Sequence, residues 1–152
     1  MKWRSKKWLG RTALGVGILL AGPALMLMGG NVLGSDWRTA SREPAKIAPD
    51  PIRVREAVVL VYAARAFSWR GAFGVHTWVA AKPTGALAYT VYQVIGWRLG
   101  RGESVLSIHQ DVPDRYWFGS KPELLAERRG AGVDALIEKI DRAARAYPYK
   151  DE

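Results

Sequence analysis

The chain has 152 residues, 49% of them hydrophobic, a formal net charge of +9 and no cysteine. That length suits one folded domain with an appendage, since a stable core needs on the order of 100 residues, and the missing cysteine excludes disulfides, a thiol nucleophile, lipoprotein modification and cysteine-held metal. The charge is no nucleic-acid footprint: five basic residues (Lys2, Arg4, Lys6, Lys7, Arg11) crowd the N-terminus, and setting those five aside leaves +4, interspersed with acids.

From Thr12 to Leu33 no side chain ionises. A helix over that stretch would be roughly 30 Å long, about one hydrocarbon core. Pro23 is compatible with it, because lipid offers the backbone few alternatives to a helix. Trp3 and Trp8 on one side and Trp37 on the other suit the headgroup regions. The positive-inside rule then puts the basic tail, 1–11, in the cytoplasm, the transmembrane helix or signal anchor at 12–33, and the rest outside the bacterial inner membrane. A cleavable signal peptide is the alternative, given the small residues near Val32 and Gly34, although no Ala-x-Ala site follows the apolar run. Both readings export the domain. Ala13, Gly17 and Ala21 share one helical face, on which two copies could pack as a homodimer; small residues scattered in an apolar helix are the plainer explanation.

Residues 34–51 carry Pro44, Pro49 and Pro51 with no apolar period, which is linker composition. The extracytoplasmic domain is expected over 52–152. Glu56 to Ala66, with Val58, Val59 and Val61, is too apolar for a half-exposed strand and belongs inside a sheet. Further strands are expected at Val75 to Lys82, Tyr89 to Leu99 and Ser104 to Gln110, joined by short turns that favour antiparallel pairing. Ser120 with Glu123 forms a capping box, and Pro122 suits a first turn, predicting a short helix to about Arg129. Val133, Leu136, Ile137, Ile140 and Ala144 form one helical stripe, opposite the i,i+4 pairs Glu138–Arg142 and Asp141–Arg145. The expected fold class is α+β: one transmembrane helix, then a small, mainly antiparallel sheet packed by one or two C-terminal helices. A sheet with so little cover is thin for a free-standing unit, so the domain is expected to be incomplete.

His76 is the leading candidate for chemistry. It opens a strand two places before Trp78, on the same face, after the glycine-flanked aromatic loop with Trp69, Arg70 and Phe73. A general base there needs its imidazole oriented by a polar neighbour, and Tyr92 or Gln93 on the next strand is placed for that. The competing reading is a half-buried histidine bonded to a backbone carbonyl or to Thr77. Among hydroxyls, Ser68, Thr77, Thr90 and Ser120 lack a nucleophile elbow. His109 with Asp111 and Asp114 matches no metal-ligand spacing, and an acid-rich turn explains it. Tyr116, Trp117, Phe118, Trp97 and Arg98 form either an aromatic binding rim or core filling. No phosphate loop or carboxylate pair occurs, and no cofactor or metal is expected. The expected partners are the membrane and an envelope substrate or protein.

Several stretches carry a family resemblance: Val61-Tyr62-Ala63-Ala64-Arg65, Trp69-Arg70-Gly71-Ala72-Phe73, Val75-His76-Thr77-Trp78-Val79, Val91-Tyr92-Gln93-Val94-Ile95-Gly96-Trp97-Arg98 and Pro113-Asp114-Arg115-Tyr116-Trp117-Phe118-Gly119. From about Glu56 to Tyr149 the chain resembles a bacterial envelope family known only as domain of unknown function 3750. That family generally continues past the equivalent of Tyr147-Pro148-Tyr149 into a segment rich in Asn, Ser and Thr, which implies C-terminal truncation here. A strand histidine followed by a polar helix is also similar to circularly permuted papain-like amidases, by fold-level analogy. The analogy implies that His76 is the base, that the nucleophile lies beyond Glu152, and that the chain as given is inactive.

Overall fold

The computed structural model describes residues 3–28 and 36–149. The outer end of the expected span and the start of the expected linker, residues 29–35, lie outside the described residues, as do the first two residues of the basic tail. Helix α1 runs Trp3–Met28. Among the described residues no helix is long and apolar enough to cross a membrane; of the predicted span over 12–33, α1 carries residues 12–28. Its apolar side chains stand free: Leu14, Ile18, Leu19 and Leu25 are each more than half exposed.

The domain is built on five strands, β1 Val58–Arg65, β2 Val75–Lys82, β3 Tyr89–Val94, β4 Leu106–Asp111 and β5 Glu123–Arg129, in the order β4-β3-β2-β1-β5. Every neighbouring pair is antiparallel. As its composition predicts, β1 is an interior strand, buried on both faces over most of its length. The β2 boundaries coincide with those expected. The third strand is shorter than the predicted Tyr89 to Leu99, because the chain leaves the ladder at Ile95 and coils into a 3-10 turn, Gly96–Arg101. Gly102 closes that turn at φ 69°, a conformation that costs glycine little.

The predicted short helix ending near Arg129 is not formed; that segment is β5, paired with β1 from Val58↔Arg129 to Ala63↔Glu123 with a bulge opposite Val61 and Tyr62. Glu-Leu-Leu-Ala-Glu-Arg-Arg has good helix propensity, but propensity is a weak prior against tertiary context. Without β5, an apolar strand would expose a whole row of unpaired backbone groups. Ser120, expected as the helix cap, instead exchanges backbone hydrogen bonds with Trp117, its N–H donating at 3.0 Å and its carbonyl accepting at 2.9 Å.

One C-terminal helix follows, α2 Val133–Arg145, where the apolar stripe placed it. Val133 and Ile137 bury against Ala57, Val59, Ala81 and Tyr92 on one face of the sheet. The predicted Arg145–Asp141 and Arg142–Glu138 pairs form at 2.7 and 3.7 Å. The other face carries Val58, Leu60, Tyr62, Trp78, Ala80, Tyr89 and Val91, and is covered by Ala48, Val54 and Trp117 rather than by a helix. This cover is held down by Asp114, only 2% exposed. Its Oδ2 accepts from the N–H groups of Ile47 (2.6 Å) and Ala48 (3.0 Å), and its carbonyl accepts from Ala45 N–H at 2.9 Å. The proline-rich stretch before the first strand is thus tied to the sheet through part of its length.

Candidate functional site

Strand alternation sorts the candidate residues. His76, Trp78 and Gln93 share the helix-free face, because Trp78 is the register partner of Gln93. Tyr92 points the opposite way, toward α2, where its hydroxyl donates to Asp141 Oδ1 at 3.3 Å. Of the two predicted orienting partners, the structure therefore brings Gln93 to His76 and takes Tyr92 away. His76 Nε2 lies 3.0 Å from Gln93 Oε1. With the amide oxygen as acceptor, Nε2 carries the proton and Nδ1 keeps its lone pair.

The imidazole is half-buried in an aromatic layer. It stacks on Trp117 with ring centroids 3.5 Å apart and planes 11° from parallel, and on Trp78 at 5.7 Å and 25°. Trp78 is itself stacked on Tyr62 and fixed by its indole N–H donating to the Pro113 carbonyl at 2.7 Å. Burial pushes the His76 pKa below its ordinary value, with the Gln93 hydrogen bond opposing. The neutral imidazole therefore predominates at neutral pH. His76 and Gln93 line a groove of about 490 Å³ that also reaches Val75, Thr77 and Tyr147. A second hollow, of about 190 Å³, is walled by Trp78, Trp97, Trp117 and Phe118, with Arg42, Gln93, Asp111 and Arg115 among its polar groups.

Gln93 is the hydrogen-bond partner of His76 among the described residues. Ser68, Thr77, Thr90 and Ser120 make no such bond to it. Of the His109, Asp111 and Asp114 trio, the first two approach each other while Asp114 is spent on the backbone of 47–48. Among the described residues no group of three metal-ligating side chains forms. The aromatics divide between the two readings offered for them: Trp117 covers the core, whereas Trp97 beside it stays 52% exposed.

The stacking of Trp117 on His76 has no counterpart among the sequence expectations. Trp117 sits outside the five strands, in a tight turn where Phe118 (φ 47°) and Gly119 (φ 88°) both adopt left-handed backbone. The Phe-Gly dipeptide was the available signal of a turn, but nothing in it gave the direction in which the indole would fold. No curated protein and no solved structure matches the chain. The family model described as "Protein of unknown function (DUF3750)" matches residues 56–152, the whole sheet with its covering helix, and the chain belongs to that family.

Proposed function

We propose that this protein is a membrane-anchored domain of the bacterial envelope, tail inside and sheet outside, in which His76 is the base of a papain-like hydrolase site for an amide or ester. The His76–Gln93 hydrogen bond is the observation that carries the catalytic part. A base must present a lone pair in a fixed direction and be unprotonated at working pH. The acceptor at Nε2 supports the first requirement, and burial against Trp78 and Trp117 supports the second. An attacking hydroxyl or thiol would bond to the carbonyl carbon as its proton passes to Nδ1, and Nδ1 would hand that proton to the amine or alcohol that departs when the C–N or C–O bond breaks. In this reading the attacking group comes from outside the described residues, consistent with a chain that has no cysteine.

The test uses a longer member of the family that keeps the equivalents of His76 and Gln93. Its turnover of envelope amides and esters, followed by mass spectrometry, should fall about 100-fold or more on His76→Gln, the usual share of a general base. Full turnover by a folded His76→Gln variant would sink the catalytic reading. One observation favours a second reading, a binding module: Trp69, Phe73 and Trp97 are 52%, 61% and 52% exposed, and Trp97 walls the second hollow beside Gln93. Under that reading Trp97→Ala, and not His76→Gln, abolishes capture of the envelope component.

A further inference from the structure

Strand β4 carries a polar arrangement that the His76 reading does not use. Ser107, His109 and Asp111 alternate along it, so all three side chains stand on one face of the strand, which is at the edge of the sheet. The Asp111 carboxylate is held: Oδ1 accepts from Val112 N–H and from Arg115 Nε, both at 2.7 Å. Its Oδ2 faces His109 Nε2 at 3.5 Å. A carboxylate on that side favours the ring proton at Nε2, which leaves the Nδ1 lone pair facing Ser107 Oγ at 3.0 Å. The hydroxyl can then donate to Nδ1.

Arg98 approaches the same oxygen, its Nη1 at 3.5 Å. Its guanidinium is fixed from behind, with Nε donating to the Ser104 carbonyl at 2.7 Å and Nη2 paired with Glu103 at 3.2 Å. An open groove of about 400 Å³ is lined by Arg98, Ser107 and His109. A hydroxyl within reach of a base, a base oriented by a third group, and a cation beside the position of a developing oxyanion are the parts of acyl transfer.

We propose that Ser107 and His109, with Asp111 as positioning residue and Arg98 as oxyanion donor, form a serine acyl-transfer site for short carboxylic esters. Ser107 Oγ bonds to the ester carbonyl carbon while its proton passes to His109 Nδ1. The C–O bond to the alcohol then breaks, and the alcohol leaves with that proton. Water, deprotonated by His109, next attacks the acyl-serine, releasing the acid and restoring the hydroxyl. The acyl group is short because Ser107, 3% exposed, forms the floor of the groove and only a compact carbonyl can reach it.

The full chain in mild detergent, treated with a fluorophosphonate, tests the site, since phosphonylation needs an activated serine and releases fluoride. The expected result is one adduct per chain, on the peptide carrying Ser107. His109→Gln, at a half-exposed position where folding is safe, should slow labelling about 100-fold or more with melting unchanged. Asp111→Asn should slow labelling with melting unchanged and Asp111→Glu should restore it, because a carboxylate there holds the His109 ring with Nδ1 toward Ser107. An unlabelled Ser107, an adduct on another residue, or labelling of folded His109→Gln at the parent rate overturns the proposal, and labelling of Asp111→Asn at the parent rate removes Asp111 from it.

Discussion

At the scale of single residues, His76 couples the site to the stability of the domain. Unfolded, its imidazole titrates near the ordinary value of 6.5; folded, burial lowers that value. Between the two the unfolded chain binds more protons than the native one, so stability falls as pH drops from about 6.5 toward the folded pKa and levels off below it. Urea denaturation at a series of pH values should show this loss, and His76→Gln should remove it. Asp114 acts through the backbone it holds. Asp114→Ala strands the N–H groups of Ile47 and Ala48, and should cost about 2 kcal/mol in the same denaturation experiment while freeing the stretch before β1. Gln93 was legible from sequence because antiparallel pairing across a short turn puts it opposite Trp78. The rejection of Tyr92 was legible too, in retrospect, because adjacent strand residues must face opposite ways. The contribution of Asp114 was not, since it depends on a contact made across 67 residues of chain.

At the scale of elements, the legible pieces are those whose own pattern demands one structure. α2 has an apolar stripe at helical spacing, and β2 is rich in β-branched and aromatic residues and bounded by Gly74 and Pro83. β5 was illegible because the reason for it lies in another element, the two-sided burial of β1, and its own sequence argues for a helix. Edge position also explains its charge: Glu123, Glu127, Arg128 and Arg129 discourage further strands from pairing there. α2 holds its face of the sheet through few fully buried side chains, of which Ile137 reaches the interior at 7% exposed. Ile137→Ala should therefore cost about 3 kcal/mol, the range for emptying a core position. Chemical denaturation would check it, and a loss below about 1 kcal/mol would mean that α2 contributes little to holding the sheet.

At the scale of the whole molecule, the two sheet faces are covered, one by α2 and the other by Ala48, Val54 and Trp117, but α1 is not. At about 100° per residue, Leu14, Ile18, Leu19, Leu20 and Leu25 point in several directions around the helix axis, so no single protein face could bury them all. Lipid surrounds a helix on every side, and burying each such side chain contributes roughly 1.5–3 kcal/mol. The proposed anchoring rests on that comparison. It predicts that the full chain stays with bacterial membranes through an alkaline carbonate wash, and that a reporter fused after Glu152 is active only outside the cytoplasm. Leu19→Arg with Leu20→Arg should release the chain to the soluble fraction, because each arginine near the centre of a span costs about 3 kcal/mol. The sheet domain lies far along the chain from both positions, so its urea midpoint should not move. Recovery of the parent chain from the soluble fraction would mean that something other than lipid covers α1.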